Sequence, residues 1–206
     1  MTAPATPPST FLLGGPTASG KTRLAIELAR RLDAEIICAD AMQVYQGLDR
    51  LTAKPGPDER SAVPHHGIDL VPPRTPFSVA DWLEHARAAE QRIHARGRRA
   101  LVTGGTGLYL RAFRHGLDPA PRTSPAQRAE FDGRPLESLV MELCDSAPAA
   151  ARVTDLRNRR RVERALVLVR AGLDPAARDS FRSPVSPAPL VAVRRDPADL
   201  AARITA

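Results

Sequence analysis

Lysine is almost missing from this chain: among 30 Lys and Arg side chains in 206 residues, only Lys21 and Lys54 are lysines, so a net charge of +7 is carried almost wholly by arginine. Lysines that survive such a bias point to sites where a compact ammonium and a planar guanidinium are not interchangeable, phosphate sites above all. Cysteine is equally scarce. Cys38 and Cys144 are too few and too far apart for a disulfide framework or a zinc site, which fits a reducing, cytoplasmic compartment. No apolar stretch approaches the ~20 residues of a membrane span, and the opening MTAPATPPST lacks the charge and apolar run of a signal peptide. Residues 1–10 read as a flexible tail and no membrane partner is expected. A hydrophobic fraction of 43% and a charged fraction of 26% exclude disorder and fibrous classes. The length suits one main domain with a small appended lobe. The positive balance favours a polyanionic partner without separating RNA from phosphorylated metabolites.

Along the chain, Phe11–Leu13 is a short apolar run ending in glycines, and Lys21–Leu32 reads as a helix that buries Leu24, Ile26, Leu28 and Leu32. A second buried strand over Glu35–Ala39 runs into Asp40, and Ala41–Pro64 is mostly loop, broken by prolines. Ser78 is a candidate N-cap with Asp81 three residues on, opening a helix that buries Trp82, Ala86, Ala89 and Ile93 and ends near Gly97. A third strand, Arg99–Thr103, meets the turn Gly104-Gly105-Thr106-Gly107 before a helix over Leu108–Arg114. This alternation predicts an α/β fold, a P-loop NTPase-like parallel sheet flanked by helices, with ligands beyond the strands' C-terminal ends. Helical segments at Pro135–Cys144 and Asn158–Gly172 predict a small helical lobe over 119–187, between core segments 11–118 and 188–206. Pro189–Arg194 restores a strand, and a helix starts at Pro197.

Gly15-Pro16-Thr17-Ala18-Ser19-Gly20-Lys21-Thr22 matches G-x-x-x-x-G-K-T between a strand and a helix, the setting a phosphate-binding loop requires. Its glycines let backbone N–H groups and the helix N-terminus face an anion, Lys21 adds a mobile charge, and the Thr22 hydroxyl can hold Mg²⁺. Asp40, at a strand's C-terminal end, is a candidate base or a turn-capping residue. His65 and His66 are adjacent and face opposite sides of a strand, so they read as structural. Tyr45 and Tyr109, the only tyrosines, are candidates for stacking on a ligand or for half-buried core positions. Arg157, Arg159, Arg160, Arg161 and Arg164 crowd one helix start, either a solvated face or a phosphate-backbone tract.

The ordered run GPTASGKT, Asp40-x-Met42-Gln43-Val44-Tyr45, Thr52-Ala53-Lys54-Pro55, His65-His66-x-Ile68-Asp69, Phe77-Ser78-Val79-Ala80-Asp81 and Gly104-Gly105-Thr106-Gly107-Leu108-Tyr109 resembles the tRNA dimethylallyltransferases, with a weaker likeness through Arg160–Leu166. The resemblance implies that residues 15–22 hold the diphosphate of dimethylallyl diphosphate, with Mg²⁺ at Thr22. It implies that Asp40 takes a proton from the N6 amine of an adenosine beside the tRNA anticodon, and that Thr106 points toward the diphosphate or reacting centre. It further implies tRNA contacts by Asp40, Ala41, Met42 and Gln43 at the adenosine and by Arg128, Arg160, Arg161, Val162, Glu163 and Arg164 along the RNA, from a monomer. Ala41 stands where the family usually has Ser, and Leu51 where it usually has Gly. Family members run about a hundred residues further, set against the size prior, so the chain is expected to lack an arginine that assists the departing diphosphate. Three other readings stay open: an adenylate isopentenyltransferase, a nucleotide-binding P-loop kinase that consumes ATP, and a non-catalytic remnant that binds diphosphate or tRNA.

Overall fold

The computed structural model describes residues 9–117, 120–177 and 188–205. The tail expected over 1–10 therefore lies outside the described residues up to residue 8, and Thr10 already belongs to a strand. The described residues group into two compact units, 9–117 with 188–205, and 120–177.

The first unit begins with β1 (Thr10–Gly14), α1 (Lys21–Leu32) and β2 (Ala34–Cys38). It continues through α2 (Pro57–Ala62), β3 (His65–His66), α3 (Val79–Ala95), β4 (Arg99–Gly104) and α4 (Gly107–His115). The second unit holds α5 (Pro125–Asp132), α6 (Leu136–Ser146), α7 (Pro148–Val153) and α8 (Arg159–Arg170). The first unit closes with β5 (Leu190–Ala192) and α9 (Pro197–Thr205). All five strands are parallel, in the order β3-β2-β4-β1-β5.

Strand alternation sends successive side chains to opposite faces of the sheet. Leu13, Ile36, Cys38 and Leu101 pack against Ala25 and Ala29 of α1, while Leu12, Ile37, Ala100 and Val102 pack against Trp82, Ile93 and Phe113 of α3 and α4. Both faces are thus covered, and each fully buried Leu or Ile contributes about 1.5–3 kcal/mol. The fully buried residues of α1 are its alanines, Ala25 and Ala29, with the expected Ile26, Leu28 and Leu32 half-buried against the same cluster. Leu24, expected inside, is 39% exposed, because a helix that lies this close to a sheet presents small side chains to it. Ser78 and Asp81 form the expected capping box: Asp81 N–H donates to Ser78 Oγ at 3.3 Å and Ser78 N–H to Asp81 Oδ2 at 2.9 Å. Trp82 is core, as expected, and its indole N–H donates to the Cys38 carbonyl at 2.8 Å. Tyr109 stacks on it with ring centroids 4.6 Å apart and is 4% exposed, so it is a core residue and not a ligand platform. The loop expected over Ala41–Pro64 contains α2, with Pro57 in its first turn and Glu59 closing its cap.

In the second unit Phe131, Leu139, Leu143, Val162 and Leu166 form a separate core. Ser124 and Gln127 cap α5 reciprocally, and Asn158 caps α8. Arg134 and Arg170 share the carboxylates of Glu130 and Glu142, a network that holds both acids below their ordinary range.

Candidate active site

The loop between β1 and α1 takes its shape from two left-handed positions, Ala18 at φ 61° and Gly20 at φ 85°. Glycine adopts that region without the cost a Cβ imposes. Gly15 is tight for another reason: a Cβ there would stand 3.1 Å from Val193 and 3.2 Å from Lys21 Cδ. Lys21 Nζ donates to the Pro16 carbonyl at 2.6 Å, folding the lysine back over its own loop. Burial holds its ammonium below the usual lysine range, with Asp40 pulling the other way.

At the neighbouring strand ends a Cβ on Gly104 would fall 2.0 Å from the Ala39 carbonyl oxygen, so only glycine lets β4 run this close to the residue after β2. Ala39 N–H donates to the Thr103 carbonyl at 2.7 Å and Thr106 N–H returns to the Ala39 carbonyl at 3.3 Å. These bonds bring the second glycine turn beside the start of the Asp40 segment. Thr106 Oγ1 then accepts the Ala41 N–H at 3.2 Å, which leaves its own proton to donate.

Asp40 Oδ1 accepts from Met42 N–H at 2.8 Å and Gln43 N–H at 3.4 Å. That is the turn-capping role, and it occupies one carboxylate oxygen. Gln43 spends its amide N–H groups on the carbonyls of Thr52 at 3.2 Å and Ala53 at 3.3 Å, so only its Oε1 is left to face a base edge. Met42 is 50% exposed beside this turn.

One cavity of about 150 Å³ collects these parts: Thr17, Lys21 and Thr22 from the loop and helix, Asp40 and Gln43 from the turn, and Gly105 from the second glycine turn. Of the expected loop residues Thr17, Ala18, Lys21 and Thr22 share this space with Asp40 and Gln43, whereas Gly15, Pro16, Ser19, Gly20, Ala41 and Met42 do not line it, nor does Thr106, whose hydroxyl oxygen takes the Ala41 N–H. Sequence reasoning overlooked Thr103, which also lines it, and Arg195, whose Nε–H donates to the Ser19 carbonyl at 2.9 Å; His65, read as structural, lines it as well. No local pattern marks Arg195, because the contact joins residues 176 positions apart. His65 is tied by its Nδ1 to the Val63 carbonyl at 2.7 Å and His66 to Glu35 at 2.6 Å, the structural roles expected of them.

Lys54, the other surviving lysine, does make charged contacts, but to carboxylates of the protein itself and not to a phosphate site. Its side chain is fully buried, and Nζ donates to the Tyr45 carbonyl at 2.6 Å, Asp49 Oδ1 at 2.9 Å and Asp69 Oδ1 at 2.6 Å. Burial depresses its pKa, yet the two carboxylates more than reverse this and raise it above the ordinary value. With three hydrogens on three protein acceptors, nothing remains for a ligand.

The arginine tract lies in the second unit. Arg128, Arg160 and Arg161 are exposed. Val162 is fully buried in that unit's core, so the expectation of a direct RNA contact there fails; every fourth position of an amphipathic helix turns inward. Glu163 pairs with Arg159 at 2.7 Å, and Arg164 donates to the Pro121 carbonyl. Both order the arginines of α8, and a carboxylate would repel a phosphate.

Among the described residues no group of three or more His, Cys, Asp or Glu could hold a metal ion, and no helix is long and apolar enough to cross a membrane. The exposed Thr22 hydroxyl, lining the cavity next to Lys21, suits the one ion that is bound mainly through substrate phosphates, Mg²⁺.

Comparison with known proteins gives a consistent picture. A family model described as IPP transferase matches residues 43–206, and one described as isopentenyl transferase matches residues 8–63. A tRNA dimethylallyltransferase of Anaeromyxobacter sp. is 45% identical over 204 residues, 95% of this chain and 66% of the relative. The crystal structure of the full-length tRNA isopentenylpyrophosphate transferase of Bacillus halodurans is 35% identical and superposes with a TM-score of 0.61 over 97% of this chain and 64% of that one. A eukaryotic dimethylallyltransferase acting on tRNA shares the fold, with a TM-score of 0.74 at 22% identity over 92% of this chain and 49% of its own. The chain thus spans between about half and two-thirds of the length of these proteins.

Proposed function

The chain belongs to the IPP transferase family, and from that premise we propose that it transfers a dimethylallyl group from dimethylallyl diphosphate to the N6 amine of an adenosine beside the anticodon of tRNA, releasing diphosphate. The observation that carries this reading is the shared cavity, in which Lys21 and Thr22 of an anion cradle face the same space as the Asp40 carboxylate.

The reaction asks two things of the protein. A C–O bond to the diphosphate breaks as the N6 nitrogen forms a bond to the allylic carbon, so negative charge grows on the leaving group and a proton must leave the amine. The loop N–H groups, the N-terminus of α1 and the Lys21 ammonium favour the growing anion. Mg²⁺, held by diphosphate oxygens and the Thr22 hydroxyl, would neutralise part of that charge. Asp40, with Oδ1 fixed by two backbone N–H groups, presents its other oxygen as the proton acceptor. Thr106 shapes the site through Ala41, and the Gln43 side-chain Oε1, left over once its amide nitrogen binds the Thr52 and Ala53 carbonyls, would meet the base edge. Exposed Arg128, Arg160 and Arg161 supply sequence-independent contacts to the RNA backbone. An adenosine in a single-stranded loop suits such a site, because its base can be turned out of the stack at small cost.

The test is incubation of the protein with dimethylallyl diphosphate, Mg²⁺ and unmodified tRNA, followed by nucleoside analysis for prenylated adenosine. Product on tRNA and none on AMP is expected. Product on AMP alone would favour an adenylate transferase, and ATP turnover without prenyl transfer a kinase.

A further inference from the structure

We infer that Arg195 is a positioning residue for the diphosphate cradle: its grip on the Ser19 carbonyl orients the Ser19–Gly20 peptide so that the Gly20 N–H is presented to the anion. This rests on the diphosphate reading of the loop and adds to it a residue distant in sequence, 176 positions from Ser19.

The placement follows from the sheet. β5 pairs in parallel with β1, Leu12 opposite Leu190 and Gly14 opposite Ala192, and Val193 N–H donates to the Gly14 carbonyl at 2.8 Å. The chain leaving β5 therefore runs alongside the chain leaving β1, with Val193 packed against Gly15 and Arg195 two residues further on. Arg195 Nε–H donates to the Ser19 carbonyl at 2.9 Å, and Nη1 is held by Asp199 Oδ2 at 2.5 Å. The carboxylate of Asp199, in the first turn of α9, thus fixes the plane of the guanidinium before it meets the loop.

A trans peptide is rigid, and its C=O and N–H point in opposite directions. No cis bond occurs among the described residues, so holding the Ser19 carbonyl toward Arg195 turns the Gly20 N–H away from it. Among the described residues that N–H donates to no protein acceptor, as a group reserved for a ligand would. Other restraints on this peptide are weak. Ser19 Oγ is buried without a hydrogen-bond partner, Ser19 N–H reaches the Pro16 carbonyl only at 3.4 Å, and Gly20 at φ 85° has no side chain to limit rotation. A guanidinium on the carbonyl also polarises the amide and strengthens its N–H as a donor. Its charge lies close by, since Nη2 is 3.7 Å from where a Gly20 Cβ would be.

Calorimetric titration with inorganic diphosphate and Mg²⁺, on wild type, Arg195→Gln and Arg195→Lys, tests this together with the Gly20 amide resonance. Wild type is expected to bind and to shift the Gly20 amide on binding. Arg195→Gln should weaken binding about tenfold, the scale of one charge-assisted hydrogen bond, displace the Gly20 amide in the free protein and leave the melting temperature nearly unchanged. Arg195→Lys should fall between, because an ammonium can still donate to the carbonyl but loses the planar grip on Asp199. Wild-type affinity in both variants with an unmoved Gly20 amide overturns the inference and leaves the diphosphate reading standing. A wild type that does not bind diphosphate overturns both. Should Arg195→Gln not fold, the Lys variant and the wild-type Gly20 shift still decide the matter.

Discussion

Lys54 sets its Nζ 2.6 Å from Asp69 Oδ1, and this contact ties the connector that carries the Asp40 turn to the segment just after β3. Asp69 lies in the left-handed region at φ 54°, its other oxygen takes Arg60 Nη1 at 2.9 Å, and Asp49 completes the cluster. An ammonium with three divergent donors meets a carbonyl and two carboxylates that no planar guanidinium matches. Lysine therefore survives here for internal geometry, while Lys21 survives at the cradle.

Replacing Lys54 with Met should destabilise the first unit. Breaking a fully buried pair costs about 3–5 kcal/mol. Asp49 and Asp69 keep part of their hydration, so the cost here is about 2 kcal/mol. Urea unfolding followed by the fluorescence of Trp82, the only tryptophan, reads it as a lower midpoint. Lys54→Arg should lose stability as well; an Arg variant as stable as wild type would show that charge, and not donor geometry, is what the site requires.

How much of this could be read from residue order depends on the range of the interaction. α1 is legible to its ends because Gly20 and Asp33, both left-handed, stop the helical pattern locally. Its buried face is legible only in part: Ile26, Leu28 and Leu32 pack against the sheet as expected, but hydropathy also favours Leu24, whereas the closeness of helix and sheet selects Ala25 and Ala29. α2 hides because Pro57, a breaker inside a helix, is a helix opener at the first turn. The loop motif and Asp40 announce themselves as local turn chemistry. The partners of Lys54 and the Arg195 contact do not, since they are made across 15 and 176 positions by folds of the chain that no local period encodes.

Asp40→Asn separates the two roles of the carboxylate. The amide oxygen can still accept the Met42 and Gln43 N–H groups, so the turn should persist, but the proton acceptor is gone. Prenyl transfer is expected to fall by about 10²–10⁴ while diphosphate affinity stays near wild type. Equal turnover in the variant would reduce Asp40 to a cap.

Lys21 gives binding a pH signature. Its free ammonium titrates below 10.5 because it is buried, and an arriving diphosphate favours the charged form, so the bound value is higher than the free one. Binding should take up a proton at alkaline pH, and affinity should decline as pH rises through the free value. Titrations in buffers of different ionisation enthalpy measure the uptake; a proton count that stays flat from neutral to alkaline pH, or survives in Lys21→Met, would contradict the assignment.

Glu35 sets the acid limit of stability. It is 3% exposed, and although burial pushes its carboxyl up, hydrogen bonds from His66 at 2.6 Å and Arg96 at 2.7 Å bring it below 4.5. A folded-state value below the unfolded one means the stabilisation is present above the unfolded value and is lost as pH falls through the folded one. Thermal midpoints should therefore drop steeply below about pH 4. Glu35→Gln should be less stable at neutral pH and flatter in that acid range; an unchanged acid slope would place the titration elsewhere, at Asp69 for example, whose carboxyl is also held low.

On α8 neighbouring positions should respond in opposite ways to the same assay. Arg160 and Arg161 are exposed, so Arg160→Ala and Arg161→Ala should weaken tRNA binding on all sequences alike. Each lost phosphate contact should also reduce the salt slope of log K by about 0.7–0.9. Val162→Ala removes atoms from a core position that is fully buried, which should lower the unfolding midpoint of the second unit and leave the salt slope intact. Glu163→Gln releases Arg159 from its carboxylate partner and removes a negative charge from the same face, so affinity should rise or hold. Filter binding across a salt series separates these cases. A slope that is the same in wild type and both Arg variants would move the RNA surface off α8 altogether, because counterion release must change whenever a phosphate-bound arginine is removed.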